Sequence, residues 1–335
     1  MSRRALVTGA TGGLGLALVR ALRAESYAVR AAGRDASVRP MLEAEGAEVV
    51  LADLTQGSQV IAPLCEGMDV VFHAAALSSP WGPEAAFQRL NVRATLDLLA
   101  AARQARCEGL VFVSSPSVYA RLKDQIGLTE RDPPAARPMN AYARTKLAAE
   151  RAVLAVEAPD FFTAAVRPRA LVGPDDKVLL PRLLQVLRKG RFPAPRAGRA
   201  LIELTDVRDA ARALVRVDQR RNRTAGQAFN VSGGRPLSVA ELAARLGQAI
   251  GRDIRQVSAP WPVMWAAAKA LEAACALAPG RPEPPVTAYG VATLAFSQTF
   301  DLTQAREVLG YEPQFDANAT AVEMAAAWAA REAGR

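Results

Sequence analysis

The feature that most restricts what this chain can fold into is the run from Arg4 to Leu22. Arg4-Ala5-Leu6-Val7 reads as a strand, and it enters the turn Thr8-Gly9-Ala10-Thr11-Gly12-Gly13-Leu14-Gly15. Leu16, Leu18, Val19 and Leu22 then follow a helical apolar period. A glycine motif alone is a weak signal; between a strand and a helix it is a strong one. The spacing Gly9-x-x-Gly12-x-x-Gly15 allows a tight turn, close backbone approach to phosphate, and close packing of helix on strand. The free N–H groups and positive dipole end of the helix then suit a pyrophosphate. Gly9, Thr11, Gly12, Gly13, Leu14 and Gly15 are therefore expected to hold a dinucleotide.

Further strands are expected over Tyr27 to Ala32, Glu48 to Leu51, Asp69 to Phe72, Leu110 to Val113, Thr163 to Arg167 and Gln227 to Val231, with helical patterns between almost all of them. One long helix, from about Pro83 to Arg106, carries Asn91. Alternating strands and helices imply an α/β fold with a doubly wound parallel sheet, the Rossmann arrangement. After Gly173-Pro174 the texture changes to short strands with frequent Pro and Gly. The expected division is a dinucleotide-binding domain over 1–172, rejoined at about 205–232, and a smaller substrate lobe over 173–204 and 233–335. Trp261 to Leu277 is very apolar. A core helix is the first expectation there; an apolar wall or lid over a lipid-like substrate, or peripheral membrane contact, is the alternative.

The second strand ends in Gly33-Arg34-Asp35, where the adenosine ribose is read. A carboxylate there favours the 2′-hydroxyl, whereas an arginine accommodates a 2′-phosphate. Gly33 in the first position and Arg34 after it favour NADP over NAD. Asp35 argues the other way, unless it caps the next helix; Arg39 is a weaker second candidate. Small residues after the fourth strand, Ala74 and Ala75 among them, would let a cofactor lie against the backbone.

The chemistry is expected between Leu110 and Lys146. The fifth strand ends in Ser114-Ser115-Pro116-Ser117, and ligands bind beyond the carboxyl ends of parallel strands. Asn140 is a plausible N-cap for an Ala-rich helix on which Tyr142 and Lys146 are one turn apart. A free phenol, with a pKa of about 10, is a poor base at neutral pH. A neighbouring ammonium is expected to lower that value. A hydroxyl such as Ser115 can hold a carbonyl or alcohol oxygen for proton exchange with the phenol. The trio suits proton transfer coupled to hydride transfer.

The bulk properties exclude other classes. The net charge of +9 comes from scattered arginines, so no nucleic-acid groove is indicated. Cys65, Cys107 and Cys275 show no metal or disulfide spacing, which suits a reducing cytoplasm. His73 is the single histidine, which argues against a Ser-His-Asp hydrolase and against histidine-rich metal sites. Its expected role is structural, and no metal is expected. No signal peptide or membrane-spanning run is visible.

Together these residues resemble an extended short-chain dehydrogenase/reductase. The likeness rests on Thr8 to Gly15, Asp53-Leu54, His73 to Ala76, Phe112 to Tyr119, Tyr142 to Lys146, Arg167-Pro168 and the Asp301 to Pro313 segment. It implies Ser115 as the active-site hydroxyl, Tyr142 as acid/base, and Lys146 as its tuner and a ribose ligand. It implies Asn91 as an asparagine beside the relay, Asp53 and Leu54 at the adenine, Pro168 at the nicotinamide, and Tyr119 as structural. Trp81-Gly82, Arg167-Pro168-Arg169 with Gly173-Pro174, Leu179 to Arg182 and Pro284 to Thr287 resemble the branch of 3β-hydroxysteroid dehydrogenases and 2-alkyl-3-oxoalkanoate reductases. Val29 to Asp35 instead resembles the NADP-using dihydroflavonol reductases. The resemblance also implies a homodimer pairing through the helices that carry Asn91 and Tyr142.

The expected activity is NAD(P)-dependent hydride transfer at a secondary alcohol or ketone of a small apolar substrate, sterol-like or 3-oxoacyl. A nucleotide-sugar epimerase is the alternative. A dehydratase is disfavoured because Pro116-Ser117 stands where such enzymes carry an Asp-Glu pair. A non-catalytic sensor on the same scaffold commonly lacks the tyrosine or the lysine, and both are present here.

Overall fold

The computed structural model describes residues 2–156 and 158–333. Seven strands form one sheet: β1 (Arg4–Thr8), β2 (Ala28–Gly33), β3 (Glu48–Leu51), β4 (Val70–His73), β5 (Gly109–Val113), β6 (Phe162–Pro168) and β7 (Ala228–Val231). Their order is β7-β6-β5-β4-β1-β2-β3, and every neighbouring pair is parallel. The winding direction reverses between β1 and β4, where Thr8 lies opposite His73. A crevice opens at such a reversal, beyond the carboxyl ends of the strands.

The principal helices are α1 (Gly13–Ala24), α2 (Ala94–Gln104), α3 (Ala141–Leu154), α4 (Leu179–Leu187), α5 (Val207–Gln219), α6 (Val239–Ala249), α7 (Trp261–Leu277), α8 (Ala288–Ala295) and α9 (Ala317–Ala333). Leu18, Val19 and Leu22 of α1 pack with Leu214 and Val217 of α5 on one face of the sheet. Leu98 and Ala102 of α2, with Ala149 and Val153 of α3, cover the other. Each such leucine or valine contributes roughly 1.5–3 kcal/mol of burial, so both layers are firmly held. Beside the sheet, Leu184 and Leu187 of α4, Leu242 and Leu246 of α6, and Ala321 and Ala325 of α9 form a separate core.

Three local features differ from the sequence expectation. The long helix expected from Pro83 to Arg106 is not regular. Glu84–Phe87 is α-helical, Gln88–Arg93 is a π turn, and α2 resumes afterwards. The wider turn carries Asn91 and suits a side chain that leaves the regular ladder. Gln125–Leu128 pairs in parallel with Gln298–Phe300, joining an early loop to a late one. Its pattern was hard to see because it is short and Gly127 sits at φ 65°. Helix α7 is not a core helix. Ala268 is its buried residue, while Val263 is 62% and Leu277 88% exposed. Small alanines on several sides let it rest on α8 through one narrow edge. Among the described residues, no helix is long and apolar enough to cross a membrane.

Candidate active site

A cavity of about 860 Å³ runs from the crevice into the space beneath α4, α6 and α8. Its near end is built by the first turn. Gly9 adopts φ 71°, and a Cβ there would stand 2.6 Å from the Ala75 nitrogen. A Cβ on Gly15 would stand 2.1 Å from the Gly9 carbonyl oxygen. The two glycines thus bring α1 against β1 and the Ala74-Ala75 backbone. Gly12 caps α1 without a side-chain hydrogen bond, and the first turn holds no acid. The leading N–H groups of α1 are therefore left for an anion, and Gly12 and Gly13 line the cavity. This is the fit a dinucleotide pyrophosphate requires.

At the ribose end, Arg34 is 63% exposed, with its guanidinium 4.0 Å from the Asp53 carboxylate. Asp35 is committed elsewhere. It accepts from the Ser37 N–H at 3.0 Å and from the Lys177 ammonium at 3.1 Å. The Ser37 hydroxyl, then Lys177, hold its carboxyl below the usual range. The capping role for Asp35 is the one the structure displays. Arg39 faces Glu43 at 3.7 Å instead of the cavity.

The segment that follows Gly173 crosses this end. A Cβ on Gly13 would stand 2.8 Å from the Asp175 carbonyl oxygen. Asp175 also faces Arg20 at 3.5 Å, and Lys177 reaches Asp35. Asp176 then caps α4, accepting from the Val178 and Leu180 N–H groups at 2.7 and 2.8 Å.

Mid-cavity, the Asn140 carboxamide accepts from the Ala143 N–H at 2.9 Å and starts α3. Tyr142, Lys146 and Ser115 all line the same cavity as the glycine turn. Burial pushes the Tyr142 phenol above its ordinary value, opposed by the hydroxyls of Ser115 and Ser78. This corrects the expectation that the neighbouring ammonium lowers it. Lys146 directs its Nζ to the Val113 carbonyl and over the Phe112 ring, 4.4 Å from the centroid. Burial pushes Lys146 itself down to about 7, with Glu150 pulling the other way. Glu150 in turn takes a two-point hydrogen bond from buried Arg167, at 2.8 and 2.5 Å. Arg167 also donates to the Tyr119 hydroxyl, so Tyr119 is structural as expected.

His73 is clamped between the hydroxyls of Thr8 at 2.7 Å and Thr95 at 2.9 Å. Burial, then the nearby Lys146, pushes it down to about 3, so it stays neutral and structural. Asn91 does not reach the cavity wall. Its amide donates to the Leu77 carbonyl at 3.3 Å and the Thr145 hydroxyl at 3.1 Å, and its carbonyl accepts from the Leu77 N–H at 2.8 Å. It ties the loop after β4 to α3, the helix that carries Tyr142 and Lys146.

The expected cofactor residues Gly9, Thr11, Gly12, Gly13, Leu14, Gly15, Arg34, Asp53, Leu54, Ala74, Ala75 and Pro168 all lie along the cavity. Ser78, Arg169 and Tyr289 also line it and were not foreseen. Arg169 stood inside a motif used only for likeness, and Ser78 and Tyr289 each lie two residues beyond one, His73 to Ala76 and Pro284 to Thr287. The far wall is apolar, with Leu183, Val186, Phe192, Leu242 and Leu246. Among the described residues no group of His, Cys, Asp and Glu could hold a metal ion.

Residues 5–232 match the NAD dependent epimerase/dehydratase family. A 2-alkyl-3-oxoalkanoate reductase of Stenotrophomonas maltophilia is 32% identical, over 92% of this chain and 94% of that protein. A 4-hydroxy-2-methyl-3-oxo-4-farnesyl-3,4-dihydroquinoline-1-oxide ketoreductase of Stigmatella aurantiaca is also 32% identical, covering 92% and 91%. Among solved structures, MoeE5 in complex with UDP-glucose and NAD superposes with a TM-score of 0.75 at 27% identity, over 99% of this chain and all of that one. With a glycine cradle for a dinucleotide, a tyrosine-serine-lysine cluster lining the same cavity, and these relatives, the chain belongs to the NAD-dependent epimerase/dehydratase family, the extended short-chain dehydrogenase/reductases, on the branch of the 3β-hydroxysteroid dehydrogenases and 2-alkyl-3-oxoalkanoate reductases, and is an oxidoreductase of CH–OH groups.

Proposed function

We propose that this enzyme is an NADP-preferring reductase of ketones on apolar substrates, of the sterol-like or 3-oxoacyl class. The observation that carries the reading is one cavity with two unlike ends. A helix N-terminus and Arg34 stand at one end, leucines and Phe192 at the other, and Tyr142 between them. The nicotinamide, when bound, supplies or takes the hydride at the carbinol carbon.

Tyr142 gives or takes the matching proton at the oxygen. With its phenol pushed up by burial, Tyr142 is protonated at neutral pH, the form that donates to a ketone. In this reading the Ser115 and Ser78 hydroxyls, which line the cavity with Tyr142, hold the substrate oxygen. Lys146, partly neutral near pH 7, can return a proton to the phenol and bind ribose hydroxyls. Arg34 offers a cation to a 2′-phosphate while Asp35 is engaged with Ser37 and Lys177. The apolar far wall fits a hydrocarbon better than a nucleotide sugar. The reading also takes the enzyme as a cytoplasmic homodimer, and the thiols of Cys65 and Cys107 are free and buried.

The test is nicotinamide absorbance with NADPH and NADH in parallel, against 3-oxo steroids, 3-oxoacyl compounds and nucleotide sugars. Faster NADPH-linked reduction of an apolar ketone is expected. Reaction with nucleotide sugars alone, without net cofactor consumption, would replace this reading with an epimerase.

A further inference from the structure

Asp35 stands just beyond the carboxyl end of β2, where a free carboxylate accepts from a ribose 2′-hydroxyl and repels a 2′-phosphate. Here both of its oxygens are occupied. Oδ1 accepts from the Ser37 N–H at 3.0 Å and from the Ser37 hydroxyl at 2.5 Å. Oδ2 accepts from the Lys177 ammonium at 3.1 Å. The Ser37 bonds are local, whereas Lys177 comes from 142 residues further along the chain. The nearer cations do not answer Asp35. Arg34 lies opposite Asp53 at 4.0 Å, and Arg39 faces Glu43 at 3.7 Å.

The backbone beneath Lys177 is fixed on both sides. Asp175 turns the chain with φ 65°, and the Asp176 N–H donates to the Gly173 carbonyl at 3.2 Å. The Asp176 carboxylate then accepts from the Val178, Leu179 and Leu180 N–H groups and starts α4. Between that turn and that cap, Lys177 reaches back to the ribose corner, where it lines the cavity with Arg34, Asp35 and Asp53. Leu179, Leu180 and Leu183 of α4 line the same cavity.

We propose that Lys177 sets the choice of cofactor by masking Asp35. With the ammonium in place, the corner presents the Arg34 cation to a 2′-phosphate. Without it, Asp35 regains an oxygen for a 2′-hydroxyl and its charge opposes the phosphate. The assignment rests on the NADP reading above and names the residue that resolves the acid beside Arg34. Lys177 is a positioning residue in this account: it acts through Asp35 and takes no part in hydride or proton transfer. The cofactor is then selected by the same short segment that begins the apolar wall of α4.

The experiment uses the full chain and calorimetry with NADP and NAD alone, so that no substrate is needed. K177M should lower the NADP-over-NAD affinity ratio by about 10-fold, the loss of one charge-assisted contact. K177R should keep most of the ratio. In a D35N background, where no charge remains to be masked, K177M should change the ratio by less than about 3-fold. R20Q releases the same segment at Asp175 and should leave the ratio within about 2-fold, as expected of a solvent-facing pair.

A thermal melt of each variant confirms that it is folded. A K177M protein that melts normally and keeps the wild-type ratio overturns the assignment, and the NADP reading then stands on Arg34. An equal loss from K177M in the D35N background also overturns it, because Lys177 would then act on the phosphate directly. So does an equal loss in R20Q, which would trace the effect to a loosened segment. A wild type that binds NAD as tightly as NADP removes the NADP reading itself, and this assignment with it.

Discussion

The glycine-turn end of the cavity is mostly backbone from one stretch of chain, Gly9 to Gly15, whereas the far end is side chains from α4, α6, α8 and the turn after β6. The charges differ in the same way. Behind the near end, Lys146, Glu150, Arg167 and Tyr119 form a buried chain in which each polar group has a partner. At the far end, the buried Nε of Arg169 has none among the described residues. A backbone cradle accepts one kind of ligand and leaves little to vary. A wall of side chains around an unpaired cation sets what else can enter. The near end carries the features shared across the family, and in the proposed reading the far end selects the substrate.

The largest effect is expected where the two ends meet. Tyr142→Phe should lower kcat by about 10²- to 10⁴-fold, the usual share of a general acid or base, with NADPH binding unchanged by fluorescence titration. Turnover that survives intact would dissolve the comparison, because no proton donor would then join the two ends.

Glu150→Gln addresses the satisfied chain. Removing one member of a buried pair typically costs about 3–5 kcal/mol, so urea denaturation should show a loss of that order. A neutral result would mean that the near end is no better supported than the far one.

Lys146→Met separates stability from function through pH. The folded chain holds Lys146 at about 7 against an ordinary 10.5. Between those values the unfolded chain binds more protons, so stability rises with pH in that window. The burial penalty is complete below pH 7 and disappears as the pH approaches 10.5. Wild type should therefore gain on Lys146→Met in urea midpoint between pH 7 and 9, while the variant loses turnover at every pH. A difference that stays flat with pH would remove the buried ammonium from the account.

Smaller changes belong to the edges. Arg34→Ser should reduce the NADPH-over-NADH ratio of kcat/KM by about 10-fold, the loss of one charge-assisted phosphate contact. An unchanged ratio would leave Lys177 as the cation to examine. Leu277→Ser, on the exposed side of α7, should shift stability by less than about 0.5 kcal/mol. A fall in co-sedimentation with lipid vesicles in that variant would identify α7 as a membrane-facing surface, and an unchanged value would leave it a solvated helix.

The same contrast explains what could be read before folding. The sheet and its glycine turn were legible because strand period, helix period and turn residues are local in the chain. Ser115, Tyr142 and Lys146 were legible because a strand end and a one-turn helix spacing place them. Asn91 was legible as a residue beside the relay, but its distance from the cavity depends on a π turn that no periodicity announces. The direction of the Tyr142 shift was missed because charge proximity was weighed without burial, which the helix spacing does not contain. Arg169, Ser78 and Tyr289 were missed as a group because they meet only through tertiary packing. Helix α7 was misjudged because an alanine-rich apolar composition looks alike in a core and on a surface.

The crossing of Asp175 over Gly13 has a further consequence. A dinucleotide seated on the first turn would lie next to this crossing segment, because the Asp175 carbonyl already closes the space over Gly13. In the proposed reductase reading that dinucleotide is exchanged in every cycle, and exchange past the crossing segment would require it to rise. Two solvent-facing ion pairs, Arg20 with Asp175 and Lys177 with Asp35, pin it down. Contacts of that kind are worth about 0–1 kcal/mol each. A clasp of that strength is weak, and salt in the medium loosens it further.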